Sequence, residues 1–520
     1  MLSTAAYYFL LGLLALVPLL GVAVLLWRRF YREDVGNVAR TVAKNSALPI
    51  AANLLNKVID FGFAAITLRY LGPEGNGAYA FVALIVGLYF LTISNWGLND
   101  LTVREVAAEH SRAPHFFCMT LILRWVIALF LIPAGLALVG GYAALGTPLT
   151  PAATMALFLL LLHLFPAAVA AACSASFQAF QRMEVPALVS ILTAIVRTLA
   201  GVAALVLAAD TDARVVGLAI VALITTTLNA LIFFGLQQRM LFRAIFFWEG
   251  ATARWLLRES FPLLLNSLLL AVFFRFDVVI LRAVSGDAAV GIYDAAYKLI
   301  GMTQIVPPYF VAALFPVLAR YAIDDRSAFD RAFRRAIGML QLLAWPMAVY
   351  MMMLARELIL IIGGPQFLPD AALALQVLIW YLPLSYVNGV IQYALIALRR
   401  QQAITIAFAI GALVNLGLNM LLIPLYGYMA AAAVTIITEV ALLLALGRAL
   451  RSADAVPPLF SLIWRPALAG LVSGAAALAA YTAAGWPAAM ATIPLYPAAL
   501  WLLGAFGSEE RALLRRVLGR

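Results

Sequence analysis

Nine charged side chains sit inside long apolar stretches of this chain: Lys57, Asp60, Arg124, Arg197, Arg275, Asp277, Asp294, Lys298 and Glu439. Charge in such surroundings is costly, so it faces a partner or a wet cavity, and it marks a path for a polar solute. Arg275 lies near the middle of its stretch, and Asp277 follows roughly 200° around a helix, too far round for good pairing. One arrangement aims Arg275 into a cleft and Asp277 at a neighbouring helix. A cleft arginine binds phosphate through its planar fork, whereas a paired one fixes packing, and both readings stay open. Lys57 and Asp60 are three residues apart and share a helix face, as do Asp294 and Lys298 four apart. Each pair either neutralises itself or supplies a cation for phosphate and a carboxylate for a cation or proton. Arg197 lies midway along its stretch, and Arg124 is placed to snorkel. Glu439 is the most isolated carboxylate, either a proton carrier or a hydrogen-bonded packing residue.

The stretches that carry these residues are membrane helices. Hydrophobic residues make up 65% of the 520, charged residues 11%, and mean hydropathy is +1.01. A soluble domain averages about a quarter charged. The apolar runs far exceed the alternating ten-residue segments of an outer-membrane barrel. The net charge of +11 follows from topology and implies no nucleic-acid partner. Cys118 and Cys173 offer no disulfide framework, and with His110, His115 and His163 they show no metal-ligand spacing. No catalytic constellation or phosphate-binding loop is present, so neither an enzyme, a cofactor nor a metal is expected.

Fourteen core spans are predicted, at about 46–70, 78–101, 115–140, 151–180, 185–209, 214–238, 259–283, 290–318, 333–362, 371–398, 402–424, 428–450, 465–483 and 487–505. An extra helix at 6–27 precedes them, with Arg28, Arg29 and Arg32 behind it, the reverse of a cleavable signal. With the segment after it in the cytoplasm, 26 of the 35 basic residues fall in inside loops, four outside and five within spans. That bias predicts an outside N-terminus and a cytoplasmic C-terminus.

The chain also repeats itself. Pro49, Asn53 and Arg69 recur as Pro262, Asn266 and Arg282 at an offset of 213, and Gly77 and Tyr79 recur as Gly291 and Tyr293 at 214. Six spans separate the copies, so the repeats are parallel, with a site expected between them near the midplane. The predicted organisation is an extra helix and basic linker (1–40), a first lobe (41–238), an interfacial amphipathic linker (239–258), a second lobe (259–451), and two extra helices with a basic tail (452–520). Pro49 and Pro262 loosen equivalent helices and are the hinge candidates. Amides at Asn53, Asn266, Asn415 and Asn419 are expected to bond between helices. The repeats differ in their charges: Arg275 aligns with Gly62 and Asp277 with Ala64, while Lys57 and Asp60 align with Leu270 and Phe273.

Three stretches carry a family resemblance: RYLGPEGNGAYAF with NWGLNDLTVREVA, FDVVILRAVSGDAAVGIYDAAYKL, and VNLGLNMLLIPLYGYMAAAAVTIITE. Over about 40–450 the chain resembles the polysaccharide-export flippases of the multidrug/oligosaccharidyl-lipid/polysaccharide exporter superfamily, although the leader helix departs from their pattern. The resemblance implies an all-α polytopic membrane protein, two parallel six-helix lobes forming a V-shaped transporter. It implies a flippase in the inner (cytoplasmic) membrane that moves a polyprenyl-diphosphate-linked oligosaccharide to the outer leaflet by alternating access. The cell-surface polysaccharide would be of the lipopolysaccharide O-antigen or teichoic type. Expected partners are membrane lipid, this substrate and the polymerase or glycosyltransferase machinery; the sequence leaves the oligomeric state open, a monomer being compatible with it. Arg275, Lys57, Arg197, Lys298 and Arg124 would line the substrate cavity, and Asp60, Asp277, Glu439 and Asp294 would couple an ion or proton. The alternatives are a flippase for the lipid-linked peptidoglycan precursor and a cation-coupled multidrug antiporter, the latter needing a cavity dominated by carboxylates. A membrane glycosyltransferase or polymerase would need a long acidic outer loop, which the chain lacks.

Overall fold

Apolar length and glycine breaks together determine the helices. The structure, a computed structural model, describes residues 38–451, 453 and 458–505, with side chains from Leu48 onward. The helix at 6–27, its basic linker and the C-terminal tail lie outside the described residues. The described elements are helical, with no strand among them. Ten stretches are long and apolar enough to cross a membrane. Three of these are double, because a glycine at positive φ breaks each: Gly72 (φ 68°) in α1, Val38–Leu84; Gly286 (φ 77°) in α8, Gly250–Thr303; and Gly427 (φ 55°) in α14, Gln401–Arg451. An L side chain rarely adopts such angles, so glycine lets one helix end and the next begin without a loop. Thirteen of the fourteen predicted core spans are thereby accounted for. The fourteenth divides into two short helices, α16, Trp486–Ala491, and α17, Leu495–Leu502.

Between these lie α2, Leu91–Asn95; α3, Leu98–Ala108; α4, Ala113–Ala144; α5, Pro151–Ala179; α6, Glu184–Leu207; and α7, Thr211–Met240. After α8 follow α9, Val306–Asp324; α10, Arg326–Met353; α11, Ala355–Ile362; α12, Asp370–Leu378; α13, Tyr381–Ala397; and α15, Leu459–Ala484. The chain divides into two compact units, one ending at Asp294 and one beginning at Ala295.

In the first unit α4, α5 and α7 enclose Phe117, Phe177 and Phe233, and α1 packs Ala52 and Ile59 on Ala187, Ile191 and Ala194 of α6. Membrane helices gain no hydrophobic drive from packing on one another, so polar stitches and small residues hold them. Asn56 Nδ2 donates to Ser190 Oγ at 3.0 Å, Trp96 Nε1 to the Leu257 carbonyl at 3.1 Å, and Tyr142 Oη to the Val279 carbonyl at 2.9 Å. The second predicted span is not straight. It passes through a wider π-turn at Ile85–Phe90 and stops at Trp96 and Gly97, both left-handed, before α3 begins. In the second unit, Gly470 and Gly474 of α15 meet Trp345 and Val349 of α10, and Tyr350 Oη lies 3.0 Å from Thr492 Oγ1. The first of the two C-terminal helices is thus packed on the ninth predicted span.

The repeat becomes physical at Gly77 and Gly291. A Cβ on Gly77 would run into the Asp287 carbonyl, and one on Gly291 into the Pro73 carbonyl. Pro73 and Asp287 are themselves separated by the repeat's offset of 214. The contact is therefore reciprocal, as between two copies about a two-fold axis. Backbone presses on backbone, so no side chain can yield. Gly77→Ala or Gly291→Ala should cost about 1–3 kcal/mol or more, read as a lower thermal midpoint in detergent. Gly235→Ala, an exposed helix position with nothing within 4 Å of a new Cβ, should leave the midpoint unchanged or raise it.

Candidate functional site

The polar face of α1 is built by spacing alone. Asn53, Lys57 and Asp60 fall at i, i+4 and i+7, one stripe of a helix, and all three are exposed. Asp60 pairs not with Lys57 but with Arg197 of α6, which donates to Asp60 Oδ1, with side chains 41% and 48% exposed. Lys57 makes no ion pair among the described residues.

Arg275, on the limb of α8 before Gly286, reaches a carboxylate beyond that break. Its Nη2 lies 3.4 Å from Asp294 Oδ1, with side chains 21% and 11% exposed. The other oxygen of Asp294 accepts from Asn76 Nδ2 at 3.2 Å, and Asn76 also donates to the Gly291 carbonyl at 3.4 Å. Asp277 points elsewhere, as the helical angle requires. It is 2% exposed and accepts from Tyr293 Oη at 2.5 Å and from the Val278 amide at 2.9 Å. Asn76 was not among the residues singled out above. The signal available in the sequence was its difference from Val290 at the same repeat position.

Two further arginines have their environments filled by protein. Arg282 is 2% exposed, holds Asp287 at 3.0 Å and 3.2 Å, bonds the Thr147 and Pro148 carbonyls, and lies against the Phe81 and Tyr142 rings. Its repeat equivalent Arg69 is exposed. Arg124 is 1% exposed and donates to Asn95 at 3.1 Å and Asn99 at 2.6 Å, on either side of the Trp96–Gly97 break. Its Nε and Nη1 have no partner among the described residues.

The second unit holds its own polar cluster. Glu439 is 4% exposed and accepts from Asn388 Nδ2 at 2.7 Å. Asn415 donates to Thr438 at 3.3 Å across the Gly427 break, the inter-helix use expected of it, whereas Asn419 donates to Asn415 at 3.0 Å one turn away on the same limb. Lys298 is half-buried on α8, while Asn266 and Pro262 are exposed near its start. At the break between α8 and α9, Gln304 donates to Tyr381 Oη at 2.8 Å.

This fold and site define a multi-pass membrane protein of the transporter type. A profile of the polysaccharide biosynthesis protein family matches residues 42–322, more than half of the chain, and a MatE profile matches 262–421. The chain belongs to the polysaccharide biosynthesis protein family, within the multidrug/oligosaccharidyl-lipid/polysaccharide exporter superfamily. Among solved structures it is similar to the lipid II flippase MurJ in an inward closed conformation, at 15% identity and TM-score 0.72, covering 91% of this chain and 100% of that one. It is also similar to a multidrug resistance MATE family transporter, inward-facing, at 15% identity and TM-score 0.62, covering 76% and 95%. An outward-facing structure of a multidrug resistance MATE family transporter gives 16% identity and TM-score 0.53 over 79% and 96%. These likenesses are of fold. No match is found among curated protein sequences.

Burial separates the charges by consequence. Arg282→Gln strands a buried carboxylate and should cost about 3–5 kcal/mol, seen as loss of folded protein in detergent. Arg197→Gln breaks an exposed pair worth about 0–1 kcal/mol and should leave the thermal midpoint nearly unchanged.

Proposed function

We propose that this protein is a flippase, not an enzyme, that carries a polyprenyl-diphosphate-linked oligosaccharide from the cytoplasmic to the outer leaflet for cell-surface polysaccharide synthesis. The observation that carries the reading is the exposed α1 stripe, with Lys57 unpaired among the described residues and Arg197 beside it. The transport problem is a diphosphate and a sugar chain crossing hydrocarbon while the polyprenyl tail stays in lipid. Lys57, Arg197 and Arg275 supply cationic donors for the diphosphate, and Asn53 offers an amide to the sugar. Asp60 keeps Arg197 oriented and gives it up to the more highly charged diphosphate. Lys298 joins the cationic set, whereas Arg124, enclosed at the helix break, serves the scaffold. Glu439, with Asp277 and Asp294, is the carboxylate set available to a coupling ion or proton. Pro49 and Pro262 are the hinges. The membrane is the cytoplasmic one, with the arginine-rich loops inside.

A second reading, a cation-coupled multidrug antiporter, draws on the MatE match over 262–421 and on buried Glu439. A third, a flippase for a lipid-linked peptidoglycan precursor, draws on the likeness to the lipid II flippase. Lys57 and Arg197 together outnumber Asp60 on this face, which favours an anionic substrate over a cationic drug.

Arg275→Ala and Lys57→Ala should each lower glycan export about 10- to 100-fold at unchanged protein level, the loss of one charge-assisted contact. Normal export in both variants would remove the diphosphate assignment. Depletion in the native host should accumulate one polyprenyl-linked glycan; drug hypersensitivity without that accumulation would favour the antiporter.

A further inference from the structure

The last turn of α14 carries Arg448 and Arg451, both exposed, and neither makes an ion pair among the described residues. They line a groove of 610 Å³ that lies wholly within the second unit. Its other walls are apolar: Ile391 of α13, Ile410 and Leu444 on the two limbs of α14, and Leu459 at the start of α15. No carboxylate lines it among the described residues. Leu444, Arg448 and Arg451 fall at i, i+4 and i+7, one stripe of the helix. That stripe passes from hydrocarbon to guanidinium over about 10 Å of helix axis. Ile410 is 44% exposed and Leu444 70%, so the apolar part of the groove is open laterally. Gly447 adds to the space, because a Cβ there would meet nothing within 4 Å.

Two ordinary reasons place arginine at such a position. A helix C-terminus is partly negative, and basic residues collect on the cytoplasmic side of a membrane protein. Neither requires two guanidinia at the edge of an apolar groove. A bilayer leaflet has that same polarity, with phosphate at one level and acyl chain at the next. We propose that this groove is a binding site for an anionic phospholipid of the cytoplasmic leaflet. The phosphate lies between Arg448 and Arg451, whose planar forks offer it paired N–H donors. The acyl chains enter from the bilayer and lie along Ile391, Ile410 and Leu444. On the topology that the charge bias predicts, this end of α14 faces the cytoplasm, where the membrane surface is negative. A choline headgroup would bring a third cation beside the two arginines and is disfavoured. Leu459 opens α15, so the lipid connects that helix, which stands outside the repeat, to the last helix of the second copy. The site stands independently of the flippase reading.

Photolabelling of the full chain in detergent tests this, with phosphatidylglycerol carrying a diazirine on one acyl chain as the probe. The probe should label peptides covering 441–451. Unlabelled phosphatidylglycerol should compete at a concentration about 10- to 30-fold lower than phosphatidylcholine. The double variant Arg448→Gln/Arg451→Gln loses no ion pair among the described residues and should fold as the wild type does, but without that preference. Gly447→Phe keeps both charges and fills the groove, and should lower labelling of 441–451 about tenfold. Arg239→Gln, which removes an exposed arginine of α7, should change neither result. Equal competition by the two phospholipids, or a preference that survives in the double variant, overturns the anionic assignment. Full labelling of 441–451 in Gly447→Phe overturns the groove. A polyprenyl diphosphate that displaces the probe at a lower concentration than phosphatidylglycerol assigns the groove to an isoprenoid lipid and overturns the phospholipid.

Discussion

A charge in hydrocarbon must be matched or wetted, and the first unit is arranged around that requirement. Its charged side chains fall into two groups. Arg282 and Asp287 are buried together, with the remaining guanidinium nitrogens used on carbonyls and aromatic faces. Lys57, Asp60 and Arg197 are exposed on one helical stripe and its neighbour. The buried group holds helices in place; in the exposed group Arg197 pairs with Asp60. Arg275 and Asp294 stand between the two groups, partly exposed and connected to the backbone crossing through Asn76.

The same division explains the glycines. Where two helices follow without a loop, Gly72, Gly286 and Gly427 take the left-handed angles that other residues resist. Where two backbones meet, Gly77 and Gly291 leave out the only atoms that would keep them apart. Beside that contact the Asn76 amide bonds the Asp294 carboxylate.

The second unit shows the alternative strategy for a lone carboxylate. Glu439 is met by a neutral amide, Asn388, with a ladder of Asn415, Asn419 and Thr438 beside it. The two C-terminal helices use neither strategy at their first interface: α15 relies on Gly470 and Gly474, small residues that bring it close to α10.

Much of this was legible in the sequence. Apolar length marked the spans, because a bilayer sets that length directly. The offset of 213 to 214 identified the repeat, and with it Arg282 as architecture and Gly77 and Gly291 as equivalents. The 200° between Arg275 and Asp277 correctly separated their partners, since helical geometry is local. What one dimension does not contain is which side chains meet across helices. Lys57 and Asp60 share a face, yet Asp60 takes Arg197, 137 residues away. Asp294 finds Asn76, which no spacing rule connects to it. The breaks at Trp96 and at Gln304 also escaped, because mean hydropathy runs through them unchanged. Sequence alone determined that this chain is a repeated helical membrane protein with charge in its spans. Only the tertiary structure decided which charges neutralise one another, because that depends on distances between helices rather than along them.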